Sequence, residues 1–217
     1  MEAQSPPSNR FNKKYYLPAR PYGFALFRRY FHLKVTGVES IPSSGPVILV
    51  PNHTSFMDPP LLASVVPRVV YFLMLHKHYY HPMLHWLFSR LPCIPVKRSS
   101  MSSTSALKDC LQVLHHDQVL CVFPEGGISR EHKAKGLRLG AALLALRTQA
   151  PIVPVGINGA GDALGLHQRF PRPKPIKINI GEPLYVPVEG ETHDKAFLQE
   201  ITQQTMARVQ SLLTGVQ

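Results

Sequence analysis

Short apolar runs alternate with amphipathic segments along most of the chain. All but the last of the runs have the length of strands and are apolar at nearly every position, which is typical of strands buried on both faces of a sheet. They cover residues 47–52, 69–75, 92–96, 118–124, 150–157 and 175–186. The amphipathic segments, predicted as helices, cover residues 21–32, 59–66, 81–91, 102–116, 135–149 and 194–213. This order predicts an α/β fold with a mixed, largely parallel central sheet that is flanked by helices on both faces.

The N-terminal part of the chain has a different pattern. Residues 1–20 are polar and rich in proline and serine, which predicts a mobile or loosely docked arm. The segment RPYGFALFRRYFHLKV, residues 20–35, then places five aromatic side chains among cations. Such a helix suits an anionic membrane interface, although docking on the protein's own core explains it equally well. We therefore divide the chain into an N-terminal arm with an interfacial helix, 1–34, and one folded domain, 35–217.

A formal net charge of +11 indicates an anionic partner: nucleic acid, a membrane surface, a phosphate-bearing substrate or an acidic carrier protein. Nucleic acid is disfavoured, because cations and aromatic side chains are not interleaved along one element as a stacking surface requires. The longest apolar stretch, Pro59 to Leu75, is interrupted by Pro67 and Arg68, so we expect no membrane span. The three cysteines match no metal motif, and residues 1–20 contain no apolar h-region, so we expect no secretory signal and a cytoplasmic location.

Three of the predicted strands are each followed by a polar side chain that can do chemistry. His53 follows the strand at 47–52, Arg98 follows the short strand at 92–96, and Glu125 follows VLCVFP. Ligands of open α/β sheets bind beyond the carboxyl ends of the strands. We therefore expect these three residues to meet at neighbouring strand ends.

His53 and Asp58 stand on one short loop. A histidine is the natural general base near neutral pH, and a carboxylate beside it fixes the tautomer and stabilises the imidazolium. The same spacing is consistent with a helix start, because an aspartate before Pro59 is a good N-cap and Ser55 can cap as well. The local pattern leaves both interpretations open.

The segment FPEGGISR, residues 123–130, supplies a possible acceptor site. Gly126 and Gly127 allow backbone amides to approach an anion, and the carboxylate of Glu125 can orient a hydroxyl group. An ordinary glycine turn after a strand is the alternative. Cations flank this region in the sequence and would form a phosphate site if their loops converge. They are Lys97, Arg98, Arg130 and Lys135.

Together these segments resemble a known family. NHTSFMD resembles the His-x4-Asp motif of the glycerolipid acyltransferases, the family typified by 1-acyl-glycerol-3-phosphate acyltransferase, and FPEGGISR is similar to that family's Phe-Pro-Glu-Gly block. CIPVKR stands in the place of the second block, which ends in arginine, and residues 135–157 resemble the fourth. The resemblance runs from about Val47 to Ile157, around half of the chain.

The resemblance implies acyl transfer from acyl-coenzyme A or acyl carrier protein to the hydroxyl of a lysophospholipid such as 1-acyl-glycerol-3-phosphate. It makes His53 the base, Asp58 its orienter, and Glu125 with Gly126 part of the acceptor site. Arg98 becomes the phosphate contact. No cofactor beyond the thioester co-substrate and no metal is implied, and the expected location is the cytoplasmic face of a membrane. The chain has no Gly-x-Ser-x-Gly elbow, in keeping with transfer without a covalent enzyme intermediate.

The sequence departs from the family pattern at two places. Gly127 and Ile128 replace a common Thr-Arg pair, so a phosphate-binding arginine is missing there. Either Arg130 or Lys135 substitutes for it, or the acceptor is another lysolipid or a non-phosphate acceptor. Lys97 stands where an acidic residue is frequent, which adds positive charge beside the expected headgroup.

Two further classes of function compete with acyl transfer. A non-enzymatic protein that binds an anionic membrane would explain the charge and the aromatic helix, but not the polar residues after three strands. A metalloprotein would use a histidine-rich segment, in which two of the histidines share a helix face. A proline interrupts that segment and no carboxylate joins it, which disfavours metal binding. Its histidines are His76, His78, His81 and His85.

Overall fold

The computed structural model describes residues 13–82, 85–96, 104–128, 139–165, 168, 170–187 and 194–215. Its strands are β1 Lys34–Thr36, β2 Val47–Pro51, β3 Val70–Leu75, β4 Cys93–Val96, β5 Val119–Cys121, β6 Ile152–Asn158 and β7 Lys177–Ile180. Its helices are α1 Lys13–Phe31, α2 Asp58–Val65, α3 His76–Tyr79, α4 His85–Phe88, α5 Thr104–His115, α6 Gly140–Thr148, α7 Ala160–Ala163 and α8 Lys195–Thr214. A 3-10 helix spans Val38–Ser40.

The strands form one sheet in the order β1-β7-β6-β2-β5-β3-β4. Strands β6, β2, β5, β3 and β4 run parallel, so their carboxyl ends lie along one edge, which we call the carboxyl edge. β7 is antiparallel to β6, and β1 is parallel to β7. The prediction of a mixed, largely parallel α/β sheet is confirmed. Since β2 and β5 are neighbours near the centre, the loops that follow them emerge side by side.

Apolar side chains cover both faces of the sheet. All of β2 is buried, and its alternate residues point to opposite faces. One face packs Val47 and Leu49 against α2, and the other packs Ile48 and Val50 against α5 and α6. A fully buried aliphatic side chain contributes about 1.5–3 kcal/mol. The strands therefore read as continuous apolar runs because neither face meets water.

Helix α1 is docked on the domain through one face. Phe24, Phe27 and Phe31 pack on the core layer that also contains α2. The Tyr16 hydroxyl donates a hydrogen bond to the carbonyl of Ala63 across 3.4 Å. The alternative that this helix docks on the protein's own core is confirmed for this face.

The opposite face of α1 carries an exposed apolar stripe. Tyr22, Leu26 and Tyr30 recur at every fourth residue, and their exposed fractions are 79%, 62% and 40%. We call these three residues the α1 stripe. Arg28 and Arg29, in the last turn of the helix, are exposed as well. An interfacial role for this face stays a prediction, as does the division of the chain at residue 34.

Several element bounds differ from the predictions. Helix α1 begins at Lys13, so the prediction of an arm is wrong for residues 13–20, while residues 1–12 lie outside the described part. Pro18 and Pro21 are accommodated inside the helix, where they are tolerated because contacts with α2 hold it. The predicted helix over 81–91 is too long: within its described residues only α4, His85–Phe88, is helical, and the short helix α3 before it was not predicted. Strand β1 was not predicted, since Lys-Val-Thr is short and largely exposed. Within the described residues, no helix is long and apolar enough to span a bilayer.

Candidate active site

The loop after β2 is fixed to the sheet by Asn52. This side chain is buried and makes two hydrogen bonds with the backbone of β6. Its amide Nδ2 donates to the carbonyl of Ile157 across 2.9 Å, and its Oδ1 accepts the N–H of Ile157 at 2.7 Å. The position from which His53 projects is therefore set by a cross-strand clamp at the carboxyl edge.

His53 and Asp58 are in direct contact. The Nδ1 atom of His53 lies 2.9 Å from Oδ2 of Asp58, whose side chain is fully buried, whereas the histidine side chain is 15% exposed. The same oxygen accepts the backbone N–H groups of Thr54 at 2.8 Å and Ser55 at 2.9 Å. Because Nδ1–H of the neutral ring donates to the carboxylate, the lone pair that can accept a proton is on Nε2.

Of the two interpretations left open for Asp58, the cap on the helix at Pro59 is wrong. Helix α2 begins at Asp58 itself, its N-cap is Met57, and no side chain caps it. The carboxylate instead turns back to the amides of the loop that precedes the helix. Ser55 does not cap either: its Oγ accepts the N–H of Met57 and donates to the carbonyl of Leu164.

The imidazole ring is also held from the side of β5. The ring of Phe123 stacks on His53 with a centroid distance of 4.0 Å and an interplanar angle of 27°. Stacking and the carboxylate together restrict the rotation of the imidazole. Phe123 leads directly into Glu125, so one loop both orients the histidine and brings a second carboxylate to it.

Glu125 reaches the backbone of His53. Its Oε1 accepts the N–H of His53 across 3.3 Å, while its Oε2 is buried without a hydrogen-bond partner among the described residues. Burial raises the pKa of the Glu125 carboxyl, against the opposing effect of the His53 N–H. Gly126 has a φ of 65°, in the left-handed region that favours glycine, and Gly127 continues the turn. An unpartnered carboxylate oxygen beside the histidine is available to a hydroxyl donor.

The structure thus brings together five of the residues singled out in the sequence: His53, Asp58, Glu125, Gly126 and Gly127. The remaining four, Lys97, Arg98, Arg130 and Lys135, lie outside the described residues. One expectation about them is wrong. The strand that precedes Arg98, β4, is the edge strand and is separated from β2 by β3 and β5. Three strand spacings amount to about 14 Å, so this strand end does not neighbour that of β2.

Sequence reasoning missed two residues that position the histidine. Asn52 is adjacent to His53, but its hydrogen-bond partner, Ile157, is far away in the sequence. No local sequence pattern therefore predicts this contact. Phe123 is part of the segment that carries the resemblance, and its position at the end of an apolar run was interpreted as the end of the strand. An aromatic residue two positions before a candidate carboxylate was the available signal.

The histidine-rich segment forms no metal site. Among the described residues, no group of three His, Cys, Asp or Glu side chains could hold a metal ion, and all four histidines of the segment are described. Their rings instead contact aromatic neighbours: His85 stacks on Tyr80, and His76 also packs on Tyr80. That the chemistry of this protein uses no metal stays a prediction.

The fold and the site define a class of protein: an α/β domain that presents a histidine, paired with a buried aspartate, at the carboxyl edge of its sheet. The profile of the Acyltransferase family matches residues 32–158. This is more than half of the chain, and the chain belongs to that family. The resemblance found in the sequence is confirmed.

Relatives and a solved structure agree with this membership. The chain is 29% identical to a chloroplastic 1-acyl-sn-glycerol-3-phosphate acyltransferase of Arabidopsis thaliana over 134 residues, covering 61% of this chain and 37% of that protein. It is 28% identical to the N-acylphosphatidylethanolamine synthase of Arabidopsis thaliana over 176 residues, which is 71% of this chain and 62% of the synthase. It spans less than two thirds of the length of either relative. The crystal structure of the 1-acyl-sn-glycerophosphate acyltransferase PlsC from Thermotoga maritima shares the fold, with a TM-score of 0.64, 22% identity, and coverage of 89% of this chain and 82% of that chain.

Proposed function

We propose that this protein is an O-acyltransferase of phospholipid biosynthesis. It moves a fatty acyl group from a thioester, acyl-coenzyme A or acyl carrier protein, to the hydroxyl of a lysophospholipid such as 1-acyl-glycerol-3-phosphate. The observation that carries the proposal is the contact of 2.9 Å between His53 and the buried carboxylate of Asp58. Membership of the Acyltransferase family and the names of the relatives support it.

His53 acts as the general base. Its Nε2 takes the proton of the acceptor hydroxyl while the hydroxyl oxygen forms a bond to the thioester carbonyl carbon. Asp58 stabilises the imidazolium that results. The carbon–sulfur bond then breaks, the thiolate leaves, and the imidazolium returns the proton to the sulfur. The products are an ester and a free thiol, so histidine and aspartate end in the states in which they began.

Glu125 helps to hold the acceptor. Its buried Oε2 lies in a loop that contacts the backbone of His53, where it can accept a hydrogen bond from a hydroxyl or amine of the acceptor. Gly126 and Gly127 allow the acceptor to approach the backbone. The cations Lys97, Arg98, Arg130 and Lys135 are proposed as the phosphate contacts.

A second acceptor class has support of its own. Gly127 and Ile128 stand where the family pattern commonly has Thr-Arg, and the relatives include an N-acylphosphatidylethanolamine synthase as well as acyltransferases of 1-acyl-glycerol-3-phosphate. The same base can deprotonate the hydroxyl or amine of another lysolipid or of an acceptor without a phosphate monoester. The acceptor panel below separates these cases.

The test of catalysis is turnover of a thioester. The purified protein is incubated with acyl-coenzyme A or acyl carrier protein and a panel of lysolipids that also includes an amine acceptor and an acceptor without a phosphate monoester, and loss of thioester is followed together with the new product. His53→Ala is expected to abolish turnover. His115→Ala, at an exposed histidine before the amino end of β5, is the matched control and is expected to retain it. If no acceptor gives turnover above that of His53→Ala, the protein is not this enzyme, and non-catalytic membrane binding becomes the better explanation.

The α1 stripe is proposed to hold the protein on the cytoplasmic face of an anionic membrane. Exposed Tyr22 and Leu26 would enter the headgroup boundary, and Arg28 and Arg29 would contact anionic lipid. Binding to anionic vesicles should weaken steeply as salt is added, because the Debye length shortens from about 10 Å at 0.1 M to about 3 Å at 1 M. Tyr22→Ser with Leu26→Ser should weaken it further. Salt-insensitive binding would refute this attachment.

A further inference from the structure

A second cluster of exposed aromatic side chains lies away from the α1 stripe. Phe56, Tyr80 and Trp86 are 52%, 49% and 61% exposed. We call these three residues, together with His78, the rim patch. Single exposed aromatic residues are unremarkable, but several large ones within a short segment, joined to a neighbouring loop by a ring contact, indicate an interaction surface.

Ring contacts tie Phe56 and Tyr80 of the rim patch to neighbouring side chains, and Trp86 follows one of those neighbours in sequence. Phe56 meets His78 edge to face at a centroid distance of 6.3 Å. Tyr80 stacks on His85 at 5.1 Å, and Trp86 follows His85 in helix α4. Where the structure describes residues 76–90, most of their side chains are exposed, and their helical parts are the single turns α3 and α4.

The rim patch lies beside the candidate active site. Phe56 belongs to the loop between His53 and Asp58, whose ends are fixed by the contact of those two side chains. Helix α3, which carries His78, starts where β3 ends, at the carboxyl edge of the sheet. A body that rests on the rim patch therefore touches the loop that presents the histidine.

The charge around the patch has one sign. The chain contains no aspartate or glutamate from Pro59 to Lys108. Lys77 and Arg90 are exposed there, and the Arg90 guanidinium lies over the Trp86 ring, 5.9 Å from its centroid. Tyrosine and tryptophan, whose rings are apolar with one polar atom, are enriched where water meets lipid, and cations beside them favour an anionic surface.

We propose that the rim patch is a second membrane-contact surface, which docks on anionic lipid at the mouth of the active site. The occupant is a bilayer and not an acidic protein, because the patch exposes more aromatic surface than permanent charge. The proposal rests on the proposed function in one respect: a lysolipid in the bilayer would then meet His53 without first crossing water. Contact with lipid does not itself require turnover, so it can be tested separately.

Trp86 is the single tryptophan of the chain, which makes the protein its own probe. The full chain is mixed with vesicles of phosphatidylglycerol and phosphatidylcholine in equal parts, and Trp86 fluorescence is recorded with and without brominated phosphatidylcholine. The emission is expected to shift to shorter wavelength and to be quenched by the brominated chains. His53→Ala should give the same quenching, because the probe, Trp86, is on helix α4 and not on the loop between His53 and Asp58.

Variants test the patch by sedimentation with the same vesicles. Trp86→Ser is expected to weaken binding about tenfold, from the apolar area that the indole would bury. Tyr185→Ser is the matched control. Tyr185 is 67% exposed and follows Leu184, which pairs with Ile152 at the amino end of β6, so it lies at the opposite edge of the sheet. Its replacement should leave binding within about twofold of the original.

Four results would overturn the proposal. The first is that the protein sediments with vesicles while Trp86 fluorescence is not quenched by brominated lipid; this result would leave membrane binding by the α1 stripe and the proposed acyl transfer unaffected. The second is that the Trp86→Ser and Tyr185→Ser variants bind vesicles equally well. The third is that Trp86 emission shifts on addition of soluble acyl carrier protein in the absence of lipid, which would mean that the patch binds an acidic protein. Finally, the emission shifts with protein concentration alone, which assigns it to a second copy of the chain.

Discussion

Replacement of Asp58 by asparagine tests the assigned chemistry most directly. The substitution keeps the shape of the side chain and removes its charge. An amide oxygen in the place of Oδ2 can still accept the N–H groups of Thr54 and Ser55, which in the native protein lie 2.8 and 2.9 Å away. The loop should therefore keep its conformation, and the change should affect mainly the imidazolium of His53.

The size of the effect follows from the contact that is weakened. In the transition state His53 carries a positive charge, and its Nδ1–H donates to Asp58 across 2.9 Å. A hydrogen bond to a charged group is worth about 1.5–3 kcal/mol and a neutral one about 0.5–1.5 kcal/mol. The attraction between two full charges about 4 Å apart contributes at most roughly 4 kcal/mol more at an effective dielectric constant of about 20. A loss of about 2–4 kcal/mol lowers kcat roughly 30-fold to 1,000-fold.

The assay compares kcat and KM of Asp58→Asn with those of the unaltered protein on the best acceptor of the panel. We expect kcat to fall while KM for the acceptor changes less than about threefold, because the aspartate acts on the histidine and not on the lipid. Asp117→Asn is the matched control: Asp117 is exposed before the amino end of β5, and its φ of 56° is one that asparagine adopts readily. Thermal unfolding of all three proteins monitors the fold.

Two outcomes would refute the reasoning. If folded Asp58→Asn retains more than about a third of the native kcat, its carboxylate does not stabilise a developing charge on His53. If KM rises and kcat is unchanged, Asp58 contributes to binding alone. A large loss of thermal stability would instead show that the amide cannot keep the two loop hydrogen bonds, and activity would then be compared with that of Asp58→Glu.

Three further substitutions probe the surroundings of the site and the fold. Burial raises the pKa of Glu125, so ionisation of its carboxyl opposes folding. Glu125→Gln should therefore raise the unfolding temperature near about pH 8 and change it little near about pH 4. A larger increase in the unfolding temperature at the acidic pH would contradict the raised pKa. Asn52→Ala removes two buried hydrogen bonds to β6. It should lower the free energy of unfolding, measured by denaturant titration, by about 2–3 kcal/mol. A change under about 0.5 kcal/mol would show that these hydrogen bonds do not stabilise the fold. Gly37 and Gly45 share a φ of 74°, but a Cβ on Gly37 would lie 2.0 Å from a carbonyl oxygen of β7, whereas one on Gly45 meets nothing within 4 Å. Gly45→Ala should therefore destabilise by about 1 kcal/mol and Gly37→Ala by at least about 2 kcal/mol more, and equal losses would mean that backbone strain alone governs both positions.

An element was predictable from the sequence where its own residues determine it, and was missed where contacts with distant parts of the chain determine it. Strand β2 was predicted nearly to the residue because all five of its residues are buried, so the pattern is set by burial alone. The start of α1 was missed because residues 1–20 were treated as one polar segment rich in proline and serine, whereas residues 13–20 are helical and contact α2 through Tyr16. Strand β1 was missed because it consists of Lys34–Thr36, and its place in the sheet comes from pairing with β7, far away in the sequence.

The site was predictable to the extent that its members follow strands. His53 and Glu125 were expected at one edge because both follow apolar runs, and the adjacency of β2 and β5 brings them into contact. Strand order is not readable from such runs, so the expectation that β4 ends beside β2 was wrong. The turn of Asp58 toward the amides of Thr54 and Ser55 was also not predictable, since an N-cap and a loop contact use the same residue type at the same place.

The two apolar surfaces constrain how the protein would rest on a membrane. Tyr30, at the C-terminal end of the α1 stripe, donates a hydrogen bond to the carbonyl of Pro171, and Arg172 in turn donates to Ala163 of α7, which follows the carboxyl end of β6. That end of the stripe and the rim patch therefore lie toward the same edge of the sheet. A bilayer in contact with both would face the strand ends that carry His53. An acceptor lipid could then present its hydroxyl to Nε2 while its acyl chain remained in the bilayer, and the exposed aromatic side chains of both surfaces would rest on that bilayer.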